Sequence, residues 1–251
     1  MPHQAIPSPL GEPFIELTTV DSTNNYAMDQ VQNGAASHGA AYFAHEQTAG
    51  KGQRGKSWTS KAGENLILSV IIEPAGARLE EAFLLSATIA NACYDFYKSY
   101  AGNDTKIKWP NDIYWRDRKT GGILIENVIR KHRWLSSIVG IGLNINQTSF
   151  DESLASAVSL KQITGNHYDP VSLAKELCVF LTKHYRRFQS ERAGIIHDYN
   201  RNLYRLNSPV KVRKGNIIFQ TTVKEVLPSG QLVTYDTMER KFDFGEIEWI
   251  L

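Results

Sequence analysis

Five short stretches of this chain combine residue types that ordinary packing does not ask for. Residues 50–57 read Gly-Lys-Gly-Gln-Arg-Gly-Lys-Ser and run into Trp58. Three glycines let a backbone approach a ligand closely, and Lys51, Arg54 and Lys56 bring positive charge toward an anion. The string satisfies both the P-loop and the dinucleotide-binding templates, but each needs a helix opening directly from the loop to hold the phosphates. Here WTSKAGENLILSV follows, with a turn signal at Ala62-Gly63 and then a β run, and no apolar strand ending in Asp supplies the usual metal-holding partner of a P-loop. Both templates are set aside. What survives is a basic glycine loop, which by itself could equally be a solvated turn.

The other four stretches make that bland reading less adequate. Asp21-Ser22-Thr23-Asn24-Asn25 sits where a strand gives way to a helix, as an N-cap or as polar contacts for a ligand. Lys108-Trp109-Pro110-Asn111-Asp112 is followed by Arg118-Lys119-Thr120-Gly121-Gly122. Lys119 could be an ordinary hairpin lysine, yet two glycines behind it permit close backbone approach. GIGLNIN (140–146) puts two glycines and two asparagines into a β run, where both types are unfavourable. A strand that gives up propensity in this way faces a ligand or another backbone.

These residues need elements to hold them. FIELTTV (14–20) alternates as a strand, a helix runs from the Asp21-Ser22-Thr23 cap to about Gln32, and AAYFAHEQ (40–47) and LILSVIIEP (66–74) read as strands. The clearest helical periodicity covers 78–100. KIKWPNDIYW, GGILIENVI and WLSSIVGIGLNIN read as three β runs of an antiparallel meander. Asp169-Pro170 starts a long amphipathic helix through about Phe188, and a shorter one covers 192–203. After Asn207-Ser208-Pro209 the texture changes to period-two alternation cut by turns, which predicts a small SH3-like β-barrel. The expected class is α+β, with a main domain over 1–206 and a β domain over 207–251; the first 13 residues are expected to form a loose leader.

A chain of 251 residues is long enough to bury a core without staples. With 28 Lys+Arg against 26 Asp+Glu it lacks the basic excess of a nucleic-acid binder. Cys93 and Cys178 each lie among apolar neighbours and are expected to be buried reduced thiols. No signal-peptide pattern opens the sequence and no apolar run is long enough to span a bilayer, so a cytoplasmic protein free of membrane is expected.

Taken in order, DSTN, EQTAGKGQRGKSW, KWPND, RKTGGILIE and GIGLNIN resemble the motif series of biotin protein ligases over residues 21–146, and the β unit after Pro209 resembles that family's C-terminal barrel. The resemblance implies a class II synthetase-like catalytic domain: a mixed, largely antiparallel sheet flanked by helices. It implies a two-step reaction, in which the biotin carboxylate attacks the α-phosphate of MgATP and the adenylate then acylates one lysine of a biotin carboxyl carrier domain. Lys119 takes the place of the active-site lysine, with Lys51 and Asp112 beside it; Asp112 would position Lys119 or engage Mg2+. Ser22, Thr23, Asn24, Gln47, Lys51, Gly52, Gln53, Lys119 and Gly122 fall at biotin-binding positions. Gly50, Gln53, Arg54, Trp58 and Asn144 fall at positions for ATP and the adenylate. The approximately 20 residues ahead of DSTN are too few for the DNA-binding domain of the family's ligase-repressors, so no nucleic-acid partner is expected, and the assembly is a monomer or homodimer.

The loop departs from the family's Gly-Arg-Gly-Arg-x-Gly-Arg form. Two arginines are Lys51 and Lys56, which keep charge without the bidentate fork, and Gln53 keeps no charge at all. Either Arg54 covers the loss or the adenylate is held less tightly. Two other functions compete with the ligase reading: a lipoate ligase or octanoyltransferase on the same scaffold, and a biotin-binding protein without catalysis.

Overall fold

The computed structural model describes residues 9–250. Twelve strands and five α-helices follow one another along these residues. A seven-stranded sheet is built from β1 (Phe14–Val20), β2 (Ala41–Gln47), β3 (Leu66–Ile72), β4 (Thr105–Lys108), β5 (Asp112–Trp115), β6 (Arg118–Arg130) and β7 (Arg133–Leu143), in the order β1-β2-β3-β7-β6-β5-β4. β1 and β2 are parallel, joined through the helix α1 (Thr23–Gln32), and every other neighbouring pair is antiparallel.

Strand alternation divides the sheet's two faces cleanly. On one face Phe43, Leu66, Leu68, Val70, Ile72, Val139, Ile141 and Leu143 join the main core beneath α2 (Ala82–Ala101) and α4 (Pro170–Ser190). On the other, Tyr42, Ile71 and Ile138 meet Ala27 of α1. β3 is therefore buried at all seven positions, which is why it reads as an unbroken apolar run. The α1 face is only partly covered. Ile67 and Ser69 of β3, Gly122, Leu124 and Glu126 of β6, and Gly140 and Gly142 of β7 share its parity, and most of that surface is left to the site described below.

The remaining elements are α3 (Leu160–Thr164), α5 (Ile195–Arg201) and a second antiparallel sheet of β8 (Pro209–Lys214), β9 (Ile217–Val226), β10 (Leu232–Tyr235), β11 (Glu239–Phe242) and β12 (Glu248–Ile250), ordered β11-β10-β9-β8-β12. Asn200 fastens it to α5, donating to Val226 O at 2.9 Å and accepting from Val226 N at 2.8 Å. Cys93 and Cys178 are both buried and unbridged, and burial pushes the Cys178 thiol up to about 12. No helix among the described residues is long and apolar enough to cross a membrane.

Several expectations need correction. KIKWPNDIYW is two strands, not one, because Trp109-Pro110-Asn111 turns the chain between β4 and β5, so that four strands stand where three were expected. The long helix starts at Ala82 behind a single 3-10 turn at Leu79–Glu81. α3 was not anticipated, although Ser159 and Gln162 form a capping box at its start. The expected leader divides: residues 1–8 lie outside the described residues, whereas Leu10 is buried and its N–H donates to Thr182 Oγ1 of α4 at 2.9 Å.

GIGLNIN resolves into two roles. The glycines make room for side chains, as shown below, whereas Asn146 is a structural clamp. Its amide accepts from Tyr168 N at 3.0 Å and donates to Tyr168 O at 2.7 Å, pairing both backbone groups of a segment with no strand beside it. Asn146 is buried and its partner Tyr168 half-buried, so Asn146→Ala leaves two partly buried backbone groups without their partner and is expected to cost roughly 1–3 kcal/mol of stability. Urea unfolding of the variant measures it.

Candidate active site

The open part of the α1 face forms the floor of a cavity of about 910 Å3. Its floor is a row across the sheet in which Ile67, Gly142, Gly122 and Asp112 are successive register partners. The glycines in and beside this row are occupied space. A Cβ on Gly142 would stand 2.5 Å from Trp58 Cε2, and one on Gly140 would overlap the Asn24 carboxamide. One on Gly122 would press on Asp112 Oδ1 at 3.2 Å and reach ordinary contact with Lys119 Nζ at 3.5 Å. Missing side chains thus admit an aromatic ring, an amide and an ion pair onto a surface that would otherwise be closed.

Lys119 is positioned by its backbone before its side chain does anything. Its N–H donates to Ser156 O at 2.8 Å and its carbonyl accepts from Val158 N at 2.9 Å, so the segment around Ala157 grips it like a short parallel strand. Nζ then pairs with Asp112 Oδ1 at 2.7 Å and lies 6.0 Å from the centre of the Trp58 ring. Asn144 supports this grip: its N–H donates to Thr120 O at 2.8 Å, and its amide reaches Lys119 O and Val158 O, both at 3.4 Å.

At the α1 end the polar groups form one connected set. Gln47 Oε1 accepts from Thr23 N at 2.8 Å and faces Thr23 Oγ1 at 3.1 Å. Ser69 Oγ lies 2.7 Å from Thr23 Oγ1 and 2.6 Å from Asn24 Oδ1. Ser22 stands at the N-cap of α1, but its hydroxyl makes no capping bond. Its side chain is therefore not spent on the helix, and it lines the cavity with Thr23, Asn24 and Gln47.

The glycine loop folds over this floor. Lys51 and Ser57 are bridged, Gly52 N donates to Lys56 O at 2.7 Å, and the tip is one 3-10 turn, Gln53–Gly55, with Arg54 at φ 56°. Gln53 Nε2 donates to Ile123 O at 3.3 Å and Arg54 Nη1 to Gly245 O at 2.9 Å, in the turn between β11 and β12. Gln53 Oε1 and Trp58 Nε1 are buried without a protein partner.

Of the candidates named from sequence, Ser22, Thr23, Asn24, Gln47, Lys51, Gly52, Gln53, Arg54, Trp58, Asp112, Lys119, Gly122 and Asn144 all line this one cavity. Gly50 does not. It closes the neck of the loop, accepting from Trp58 N at 2.9 Å with no room for a Cβ beside Trp58 O, and borders a smaller hollow behind the loop. Sequence reasoning did not single out Ser69, which links Thr23 and Asn24, or the contribution of the second sheet to the cavity through Arg213 and residues 244–249, and it quoted Glu126 only as the last residue of RKTGGILIE. It quoted Lys108 only as part of a motif. Lys108 Nζ donates to Tyr114 OH at 3.2 Å and lies 4.9 and 5.5 Å from the centres of the Tyr114 and Trp249 rings. Burial pushes its ammonium down to about 8, against the pull of Asp112. No group of three or more His, Cys, Asp or Glu side chains among the described residues gathers as a metal site.

Residues 16–145 match the model of the biotin/lipoate A/B protein ligase family. The chain is 33% identical over 184 residues to the bifunctional ligase/repressor BirA of Bacillus spizizenii, a match covering 72% of this chain and 56% of that protein. The chain thus spans little more than half the length of this relative. With the biotin–[acetyl-CoA-carboxylase] ligase of Paracoccus denitrificans it shares 29% identity over 228 residues, 86% of this chain and 92% of that one. Its fold matches the biotin protein ligase of Aquifex aeolicus, solved with biotin and ATP, at a TM-score of 0.78 and 24% identity over 94% of this chain and 97% of that one.

The Lys108 environment yields a test of the site's electrostatics. Its folded-state pKa lies below the unfolded value of about 10.5, so the charged form is penalised in full below pH 8 and the penalty disappears as pH rises to about 10.5. The shift corresponds to a penalty on the order of 3 kcal/mol. Lys108→Met is expected to raise stability at pH 7, with an advantage that shrinks steadily between pH 8 and 10.5; paired urea titrations across that range measure it.

Proposed function

This chain belongs to the biotin/lipoate A/B protein ligase family, and from that premise we propose that it is an ATP-dependent ligase which activates biotin as biotinyl-5′-adenylate and transfers it to one lysine of a biotin carboxyl carrier protein. The observation that carries the choice of biotin is the pairing of two unlike ends in one cavity. Near Lys119 and Asp112 the lining is cationic; at Thr23 and Gln47 it is neutral and rich in paired donors and acceptors. A substrate with a carboxylate at one end and a cyclic urea at the other satisfies both. Lipoate and octanoate carry the carboxylate but nothing that hydrogen-bonds at the far end, and would leave buried polar groups unpaired, which is the strongest basis for rejecting a ligand.

In the first step a biotin carboxylate oxygen attacks the α-phosphorus of ATP and pyrophosphate leaves. Negative charge gathers on the phosphoryl oxygens, and the Lys119 ammonium, held by its backbone grip and by Asp112, is the preorganised cation for it. Mg2+ enters with ATP as part of that substrate. Trp58 and Asn144 serve the adenine side. Lys51, Gly52, Gln53 and Arg54 cover the mixed anhydride, and excluding water there keeps it from hydrolysis. In the second step the uncharged ε-amine of the carrier lysine attacks the acyl carbon, AMP leaves, and the amide forms with loss of one proton from the amine. The catalytic part is assigned to residues up to 206, and the β unit over 207–251 completes the cavity wall through the turn that holds Arg54.

Two measurements test this reading. Intact-mass analysis of a carrier domain incubated with the chain and MgATP is expected to show one adduct with biotin and none with lipoate or octanoate; modification only of a lipoyl domain would overturn the choice of substrate. Lys119→Met is expected to lower biotin-dependent ATP–pyrophosphate exchange by about 10²–10³-fold. A biotin binder without catalysis would show no exchange in either form.

Gln53 gives a further expectation. Its amide reaches only Ile123 O, with its oxygen unpartnered, so the loop's middle position supplies no cation. Gln53→Arg is expected to slow release of biotinyl-adenylate by about tenfold, the worth of one charge-assisted hydrogen bond. An unchanged off-rate means that Arg54 already covers the position.

A further inference from the structure

Lys108 extends the floor of the cavity one strand beyond the residues given a role above. On β4 it is the register partner of Asp112, so Ile67, Gly142, Gly122, Asp112 and Lys108 form one row across β3, β7, β6, β5 and β4, and all five line the cavity. Register partners share a face of the sheet, and each step along such a row is roughly 5 Å. Past Lys108 the wall passes to the second sheet, with Arg213, Glu248 and Trp249.

Charge is unbalanced at this end. The Lys108 ammonium has three N–H donors and, among the described residues, one acceptor, Tyr114 OH at 3.2 Å. The Tyr114 and Trp249 rings flank it. Two carboxylates pull on its charge, and both are bonded to other cations: Asp112 Oδ1 to Lys119 Nζ at 2.7 Å and Glu248 Oε2 to Arg213 Nη1 at 3.1 Å. Lys119 and Lys56 act on it as like charges. A lysine that serves the fold alone extends its ammonium into water or pairs it with an acid. Lys108 does neither, and a half-buried cation short of counter-charge beside two further lysines is a site for an anion of several charges. The single carboxylate of biotin, met by Lys119, does not fill it.

Direction along the row says which anion. Displacement at phosphorus runs in line, so the leaving oxygen departs on the side opposite the attacking one. With its ring at Thr23 and Gln47, biotin brings its carboxylate to Lys119 from the β3 side, and the group it displaces leaves toward β4. We propose that Lys108 holds the β- and γ-phosphates of ATP and receives them as the leaving pyrophosphate. The bond from α-phosphorus to the bridging oxygen breaks as the carboxylate oxygen bonds to that phosphorus. The electron pair passes to the bridging oxygen, and the Lys108 N–H groups donate to the pyrophosphate. Lys119 and Lys108 thus divide the first step, one at each end of the reacting phosphate. This rests on the ligase reading given above.

Lys108→Met in the full chain separates the two half-reactions. As argued above, this variant is no less stable at pH 7, so loss of fold does not confuse the result. In biotin-dependent ATP–pyrophosphate exchange, its KM for pyrophosphate is expected to rise about tenfold or more, the worth of a charged hydrogen bond, with the KM for biotin within about threefold. Transfer to the carrier domain from biotinyl-5′-adenylate supplied directly involves no pyrophosphate, and its rate is expected to stay within about threefold of the unaltered chain. An unchanged KM for pyrophosphate would overturn the proposal. So would equal slowing of exchange and transfer, which would place Lys108 at the acyl end or make it merely structural. If the unaltered chain catalyses neither half-reaction, the ligase reading itself fails and this inference falls with it.

Discussion

The constraint on which the site depends is the clearing of one sheet face. A sheet flanked by helices normally fills both faces with side chains, and β3 shows what that looks like, with seven buried positions in succession. On the α1 side, Gly122, Gly140 and Gly142 interrupt this filling in adjacent strands at matching register. The ring of Trp58, the carboxamide of Asn24 and the Lys119–Asp112 pair occupy the room they leave. Burying so little at the middle of a sheet forgoes hydrophobic stabilisation, which the opposite face, packed under α2 and α4, has to supply.

Given that floor, the rest of the site is assembled from segments that are far apart in sequence and individually ordinary. Lys119 would be a turn lysine were it not gripped on both sides of its peptide by residues 156–158. The cationic end of the cavity belongs to a chain whose formal net charge is only +2. Its positive character is therefore local, made by converging Lys51, Arg54, Lys56, Lys108 and Lys119 on one opening, with Asp112 moderating the innermost. Such focusing attracts a phosphate-bearing ligand to one place without making the whole surface adhesive to polyanions.

What was legible in the sequence was whatever depended on neighbours along the chain. β1, β2 and β3 follow from alternation and apolar runs, and α4 from Asp169 accepting from Ser172 N with Pro170 at the first helical position. The motif residues gather almost as a set because each carries an anomaly visible on its own: glycines in a strand, a basic loop, polar residues at a helix start. The failures have the opposite cause. Glu126 reads as a routine polar residue in an alternating strand, and only a contact with Asn24, 102 residues away, gives it meaning. Ser69, alone among apolar residues in LILSVII, was a signal available to be read, since a hydroxyl at a fully buried strand position must have partners somewhere. The turn at Pro110 was hidden by β-prone flanks, and α3 by its shortness.

The hydrogen bond from Arg54 to Gly245 joins the glycine loop to a turn 191 residues further along the chain. Gly245 has φ +85° and no Cβ that Arg54 would tolerate, so the turn is shaped around the guanidinium. Coupling of this kind is reciprocal. Whatever draws the loop into its closed form lends the same free energy to the C-terminal turn, and whatever frays that turn taxes closure by an equal amount. The turn over residues 243–248 is thus part of the cavity wall although it lies at the far end of the chain, and occupancy of the cavity would be legible there as slowed amide exchange.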